Sequence, residues 1–145
     1  MVGSPTRLAG GVVTLYSGTV TTAGTVVGGT VTGLGGAQCL AVQAAFVYGS
    51  SGTSAKAYLQ TSLDGASSWL DIASFAFATS SATRVFAIGM GSSSGTAQVT
   101  PADGALADNT QVAGILGDRF RVKVISTGTY AGNTTVTLSA AVKSA

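Results

Sequence analysis

What most limits the fold of this chain is the loss of strong helix formers combined with the punctuation of Val/Thr-rich runs by glycine. Glu is absent, Lys occurs only at Lys56, Lys123 and Lys143, and 21 glycines are spread through the sequence. β-Branched residues suit the pleated surface of a sheet, and glycine supplies the positive φ that tight turns require. These features predict an all-β protein. Its 145 residues match one domain with a real core and are too few for two.

From Val12 to Leu34 short Val/Thr segments alternate with glycine, and such segments specify strand register poorly unless a neighbour fixes it. Residues 1–36 are therefore expected to form an extended Gly/Val/Thr-rich N-terminal segment or arm, packed on a partner or on the core. Its candidate interface residues are Val12, Val13, Leu15, Tyr16, Val26 and Val27. Residues 37–145 are expected to form the domain proper, an antiparallel β-sandwich of jelly-roll-like type.

Within that domain the apolar run Cys39 to Tyr48, closed by Gly49-Ser50-Ser51-Gly52, predicts a buried strand, with Cys39 as a small core residue. Ala57 to Ser62 and Trp69 to Phe77 flank Asp64-Gly65 and predict a β-hairpin. The two-residue period puts Trp69, Asp71, Ala73, Phe75 and Phe77 on one face of its second arm. Thr83 to Ile88 predicts a further strand, Gly89 to Gly95 a flexible stretch, and Pro101 to Asn109 a turn-rich loop. Phe120 to Ser126 and Thr134 to Val142 predict a second hairpin around Gly128 and Gly132-Asn133. In its first arm Phe120, Val122 and Val124 face a dry side, while Arg119, Arg121 and Lys123 face the other and complete the candidate interface.

The chemistry available is narrow. With no His and no Glu, acid–base catalysis would fall to five aspartates, Tyr, Lys or the single Cys39, and each aspartate has a simpler use. Asp64, Asp103 and Asp108 sit in turn sequences, Asp118 stands at a strand entry, and Asp71 could pair with Arg84. No zinc ligand cluster is present, a calcium loop drawn from Asp103, Asp108 and Asn109 has the wrong spacing, and no glycine cluster joins a strand to a helix as phosphate loops do. No catalytic residue, cofactor or metal is expected. A net charge of +2 argues against nucleic-acid binding, and no targeting or membrane-spanning segment is evident. The apolar fraction is 46% with 8% charged residues, a composition that points to burial against partners.

Ser62-Leu63-Asp64-Gly65-Ala66-Ser67-Ser68-Trp69 resembles the Asp-box, Ser-x-Asp-x-Gly-x-Thr-Trp, with Ala66 in the glycine position and Ser68 in place of Thr. In sialidases and other β-propellers this element stabilises a surface hairpin and is not the active site; Ser62, Asp64 and Trp69 match it here, with Gly65 as the remaining residue of the candidate hairpin site. A lone copy argues against a propeller. More broadly, Tyr58 to Phe77, Gly114 to Lys123 and Ser126 to Tyr130 resemble small tailed-bacteriophage and prophage virion proteins, over about Tyr58 to Val142. The resemblance implies a non-enzymatic structural protein of the virion, assembled in the host cytoplasm. Foremost it implies a capsid decoration (cement) protein, with the major capsid protein or other virion proteins as partners and a homo-oligomer, by analogy a trimer. A head-tail connector or tail component is the neighbouring alternative. The alternative of another class is a carbohydrate-binding module, with Trp69, Tyr58 or Tyr130 stacking on sugar.

Overall fold

The computed structural model describes residues 12–89, 98–112 and 114–143. The segment before Val12 and most of the stretch expected to be flexible lie outside them. The described residues form ten strands: β1 (Val12–Thr19), β2 (Gly24–Val27), β3 (Cys39–Val47), β4 (Ser50–Ser51), β5 (Ser54–Ser62), β6 (Leu70–Phe77), β7 (Ala82–Gly89), β8 (Arg119–Thr127), β9 (Tyr130–Ala131) and β10 (Thr135–Lys143). No helix occurs among the described residues.

Every ladder is antiparallel. The strands make one sheet in the order β1-β10-β3-β7, a second in the order β2-β8-β5-β6, and a small β4-β9 pair. Of the eight long strands only β5 and β6 are consecutive neighbours in one sheet; elsewhere the chain changes sheets at each step. That order is the eight-stranded jelly roll.

The two sheets enclose one core, supplied by alternate residues of each strand. Leu40, Val42, Ala44 and Phe46 of β3 face Leu59, Phe75, Phe120 and Val122 of the opposite sheet, all essentially inaccessible to water. Phe46 stacks on Phe77 across the sheets at 4.8 Å between ring centroids and meets Tyr130 edge-on at 5.8 Å. Tyr130 is fixed in turn by its hydroxyl, which donates to the Ala78 carbonyl at 2.6 Å. Its ring lies directly over Gly52, where a φ of 74° and the absence of a Cβ leave room for it.

Three sequence expectations are refined. The described part of the N-terminal segment is built into the sandwich: β1 pairs with β10 and β2 with β8, and Leu15 and Val20 enter the core. A shift of register between Thr14 and Tyr16 lets the consecutive residues Leu15 and Tyr16 both face inward. The second hairpin does not form, because β8 pairs with β2 and β5 while β10 pairs with β1 and β3 in the other sheet. The connection carries Tyr130 down into the core, and that anchor sends the chain across the sandwich. Finally, the run from Cys39 to Val47 is a strand with one buried face only, and Cys39 itself is half-buried at its start.

Candidate functional site

The outer faces of the two sheets differ, and the difference begins with the segment between β7 and β8. Residues 98–112 cross the outer side of β2-β8-β5-β6 and close the edge at β6. The amide of Asp71 donates to the Ala102 carbonyl and that of Ser74 to Thr110, while the amide of Val112 donates back to Ile72. An open strand edge invites pairing with other chains, so this cover protects it.

Beneath the cover lies a polar network built on Gln60 and Asp71, both almost fully buried. The Asp71 carboxylate accepts the consecutive amides of Gly104, Ala105 and Leu106 at 2.8 to 3.1 Å, a cradle made possible by Gly104 at φ 80°. Gln60 Nε2 donates to Asp71 Oδ1 at 2.8 Å and to Asp103 Oδ1 at 2.7 Å, and Arg121 Nε donates to Gln60 Oε1 at 2.7 Å. Lys123 Nζ reaches Asp103 Oδ1 at 2.8 Å. The hydrogen bond from Lys123, and then that from Gln60, hold the Asp103 carboxyl below the usual carboxylate range.

The cationic stripe read from the sequence is therefore largely neutralised inside the molecule. The Arg121 and Lys123 side chains are only 19% and 17% exposed, and Arg119 lies 3.4 Å from Asp118. The pairing of Asp71 with Arg84 does not form. Their strands belong to different sheets, and Arg84 donates instead to the Ala76 carbonyl at 3.0 Å and lies over the Phe77 ring.

The hairpin between β5 and β6 carries the Asp-box geometry. Asp64 Oδ1 accepts from the Ser62 hydroxyl and from the Ser68 amide, both at 2.9 Å, and Oδ2 accepts the Ser68 hydroxyl at 2.6 Å. Ser62 Oγ also accepts the amide of Ala66. The Ser68 contacts come first in holding Asp64 below its ordinary pKa. Trp69, half-buried at the end of the turn, has one ring face under the Arg121 guanidinium at 4.5 Å. Of the other aromatics weighed for sugar stacking, Tyr58 and Tyr130 are 4% and 2% exposed and present no platform.

Each aspartate thus has a partner in the fold, Asp108 pairing with Lys56 at 3.0 Å. The residues considered for calcium hold other groups, Asn109 Oδ1 accepting the Ala76 amide. Among the described residues no cluster of three or more His, Cys or Asp side chains is placed to hold a metal.

The outer face of β1-β10-β3-β7 has no such cover among the described residues. Alternation places Val12, Thr14, Ser17 and Thr19 of β1 on it, beside Ala141, Ser139, Thr137 and Thr135 of β10. Next come Ala41, Gln43, Ala45 and Val47 of β3, and then Ala87, Val85 and Thr83 of β7. None of these fifteen is ionisable; Lys143, at the end of β10 opposite Cys39, is the one charge in the series. Val12 and Val85 stand up from the face, 76% and 63% exposed, beside a shallow hollow of about 310 Å³ floored by Ala41 and Ala141.

Of the candidate interface residues, Val12 lies on this face. Leu15 is in the core, Val13 and Tyr16 pack against it, and Val26 and Val27 are exposed on β2 at the edge of the other sheet. Sequence reasoning missed Ala41, Gln43, Val47 and Val85. The signal was present in β3, whose run stays apolar at Ala41, Ala45 and Val47 as well as at its inward positions.

Comparison with protein-family models, with curated proteins and with solved structures finds no match to this chain.

Proposed function

We propose that this chain is a non-enzymatic structural protein of a bacteriophage virion, acting as a capsid decoration (cement) protein that stabilises neighbouring capsid subunits. The observation that carries the reading is the outer face of β1-β10-β3-β7: four strands wide, exposed and free of ionisable side chains except at one end. Its fifteen outward residues, seven apolar and eight with hydroxyl or amide groups, are mostly small and all uncharged, so a flat protein partner can approach closely without burying charge. The opposite sheet uses its charged residues to hold its own loop, so the molecule is polarised into a self-sealed side and an open side. The resemblance of Tyr58 to Val142 to virion proteins supports the same assignment, and the jelly roll is an architecture found in capsid proteins.

Cryo-electron microscopy of the corresponding particles mixed with the protein tests this. Density repeated over the capsid lattice is the expected result. Density confined to the neck or tail would move the chain to the connector class, and unlabelled particles would sink the virion reading. The carbohydrate-binding reading has a separate check: glycan-array binding that vanishes in a folded Trp69→Ala protein would bring it back. The Arg121 guanidinium on the Trp69 ring argues for a silent array.

A further inference from the structure

We infer that the open face of β1-β10-β3-β7 is a homodimer interface, its first occupant being a second copy of this chain set face to face across a two-fold axis. The inference rests on the reading of that sheet as an assembly face and names its occupant off the particle, a copy that gives way to capsid subunits when the protein binds.

Three observations support it. The first is charge: with no ionisable side chain among the fifteen outward residues, two copies of the face meet without burying like charges, and Lys143 stands only at the end. The second is shape. Val12 and Val85 project on either side of the hollow over Ala41 and Ala141, so each copy carries both a ridge and a hollow to receive one. A face that complements itself gives an isologous pair, whereas a threefold ring needs two different patches. The third is area. Four strands spaced about 4.8 Å apart, with eight or nine residues each rising about 3.4 Å, cover roughly 500 Å². Two such faces bring the total to about 1,000 Å² or somewhat more, the size at which specific association begins. The small side chains let the sheets approach to about 10 Å with their strands crossing at about 30°.

The opposite sheet does not compete for this role. Its outer side is occupied by residues 98–112 and its β6 edge is hydrogen-bonded to that segment.

Sedimentation equilibrium of the full chain tests the inference over roughly 10 to 200 μM, the range suited to interfaces of modest size. The expected mass at the upper end is twice the 14.1 kDa of one chain. Ala41→Lys puts a charge into the hollow of both copies and is expected to weaken the dimer at least tenfold with an unchanged circular dichroism spectrum. Val85→Lys, at a strongly exposed position on the edge strand, gives the same readout if the first variant folds poorly. A single-chain mass for the wild type throughout, a mass of three chains, or a folded lysine variant that dimerises as well as the wild type would each overturn it. Particle binding is scored separately. A dimer that leaves particles bare removes the decoration reading alone, and a monomer that decorates them removes the dimer alone.

Discussion

Ala66 holds a φ of 74°, a conformation that costs an L-residue roughly 1 kcal/mol and costs glycine almost nothing. It occupies the glycine position of the Asp-box, and the hydrogen bond from its amide to Ser62 Oγ keeps it there. Ala66→Gly is expected to raise stability by about 0.5 to 1 kcal/mol, read as a higher urea midpoint at unchanged slope. The neighbouring carboxylate sets a pH dependence. Asp64 and Asp103 are both held below their ordinary range in the folded state, so their contribution is complete above the unfolded value near pH 4 and is lost as pH falls through the lower folded values. Thermal midpoints should therefore decline below about pH 4, and Asp103→Asn should flatten part of that decline. The turn was legible in the sequence because Ser62, Asp64, Gly65 and Ser68 lie within a few residues of one another. Asp71 was not legible: the amides it accepts lie on a distant loop, at Gly104 to Leu106, and no local pattern announces them.

At the scale of elements, residues 98–112 behave as an added border on β6, and Asp71 is the pin. Removing its carboxylate leaves three amides and one of the two Gln60 Nε2 hydrogens without an acceptor under cover, each a cost of about 1 to 3 kcal/mol unless the loop opens to water. Asp71→Ala is expected to destabilise the protein by about 2 to 4 kcal/mol, the loop lifting to limit the loss. Hydrogen exchange gives the finer readout: the amides of Gly104 to Leu106, and those of Asp71 and Ser74 on the bordered edge, should lose protection first. Composition and turn residues correctly marked 101–109 as a loop but gave no sign that it seals a sheet. For β8 the alternation of Phe120, Val122 and Val124 with Arg119, Arg121 and Lys123 read one face as dry, as observed. That the other face is also half-covered depends on Asp103 arriving from outside the strand.

For the whole molecule, the all-β class and the sandwich were legible because strand-length runs and turn residues are local properties. The pairing of strands was not, because a jelly roll joins segments far apart in sequence: β1 at the start of the described chain pairs with β10 at its end, and β2 pairs with β8. The N-terminal segment read as an extended arm for that reason, since its glycine-rich strands carry no register of their own until β10 and β8 supply one. The geometry gives removal of residues 1–31 a definite consequence. Each sheet loses an edge strand, β10 and β8 gain open edges, and the core loses Leu15 and Val20 together with the cover from Val13 and Tyr16. Burial of Leu15 and Val20 alone contributes about 3 to 6 kcal/mol, comparable with the 5 to 15 kcal/mol that holds an ordinary domain together. The truncated chain should therefore lose its cooperative thermal transition, and its amide proton shifts should collapse to the narrow range of an unfolded chain. A truncated protein that kept a sharp transition and dispersed shifts would mean that six long strands suffice and that β1 and β2 are an accessory layer after all. Loss of folding would instead make the two ends of the chain one structural unit, with β1 and β10 together supplying half of the open face.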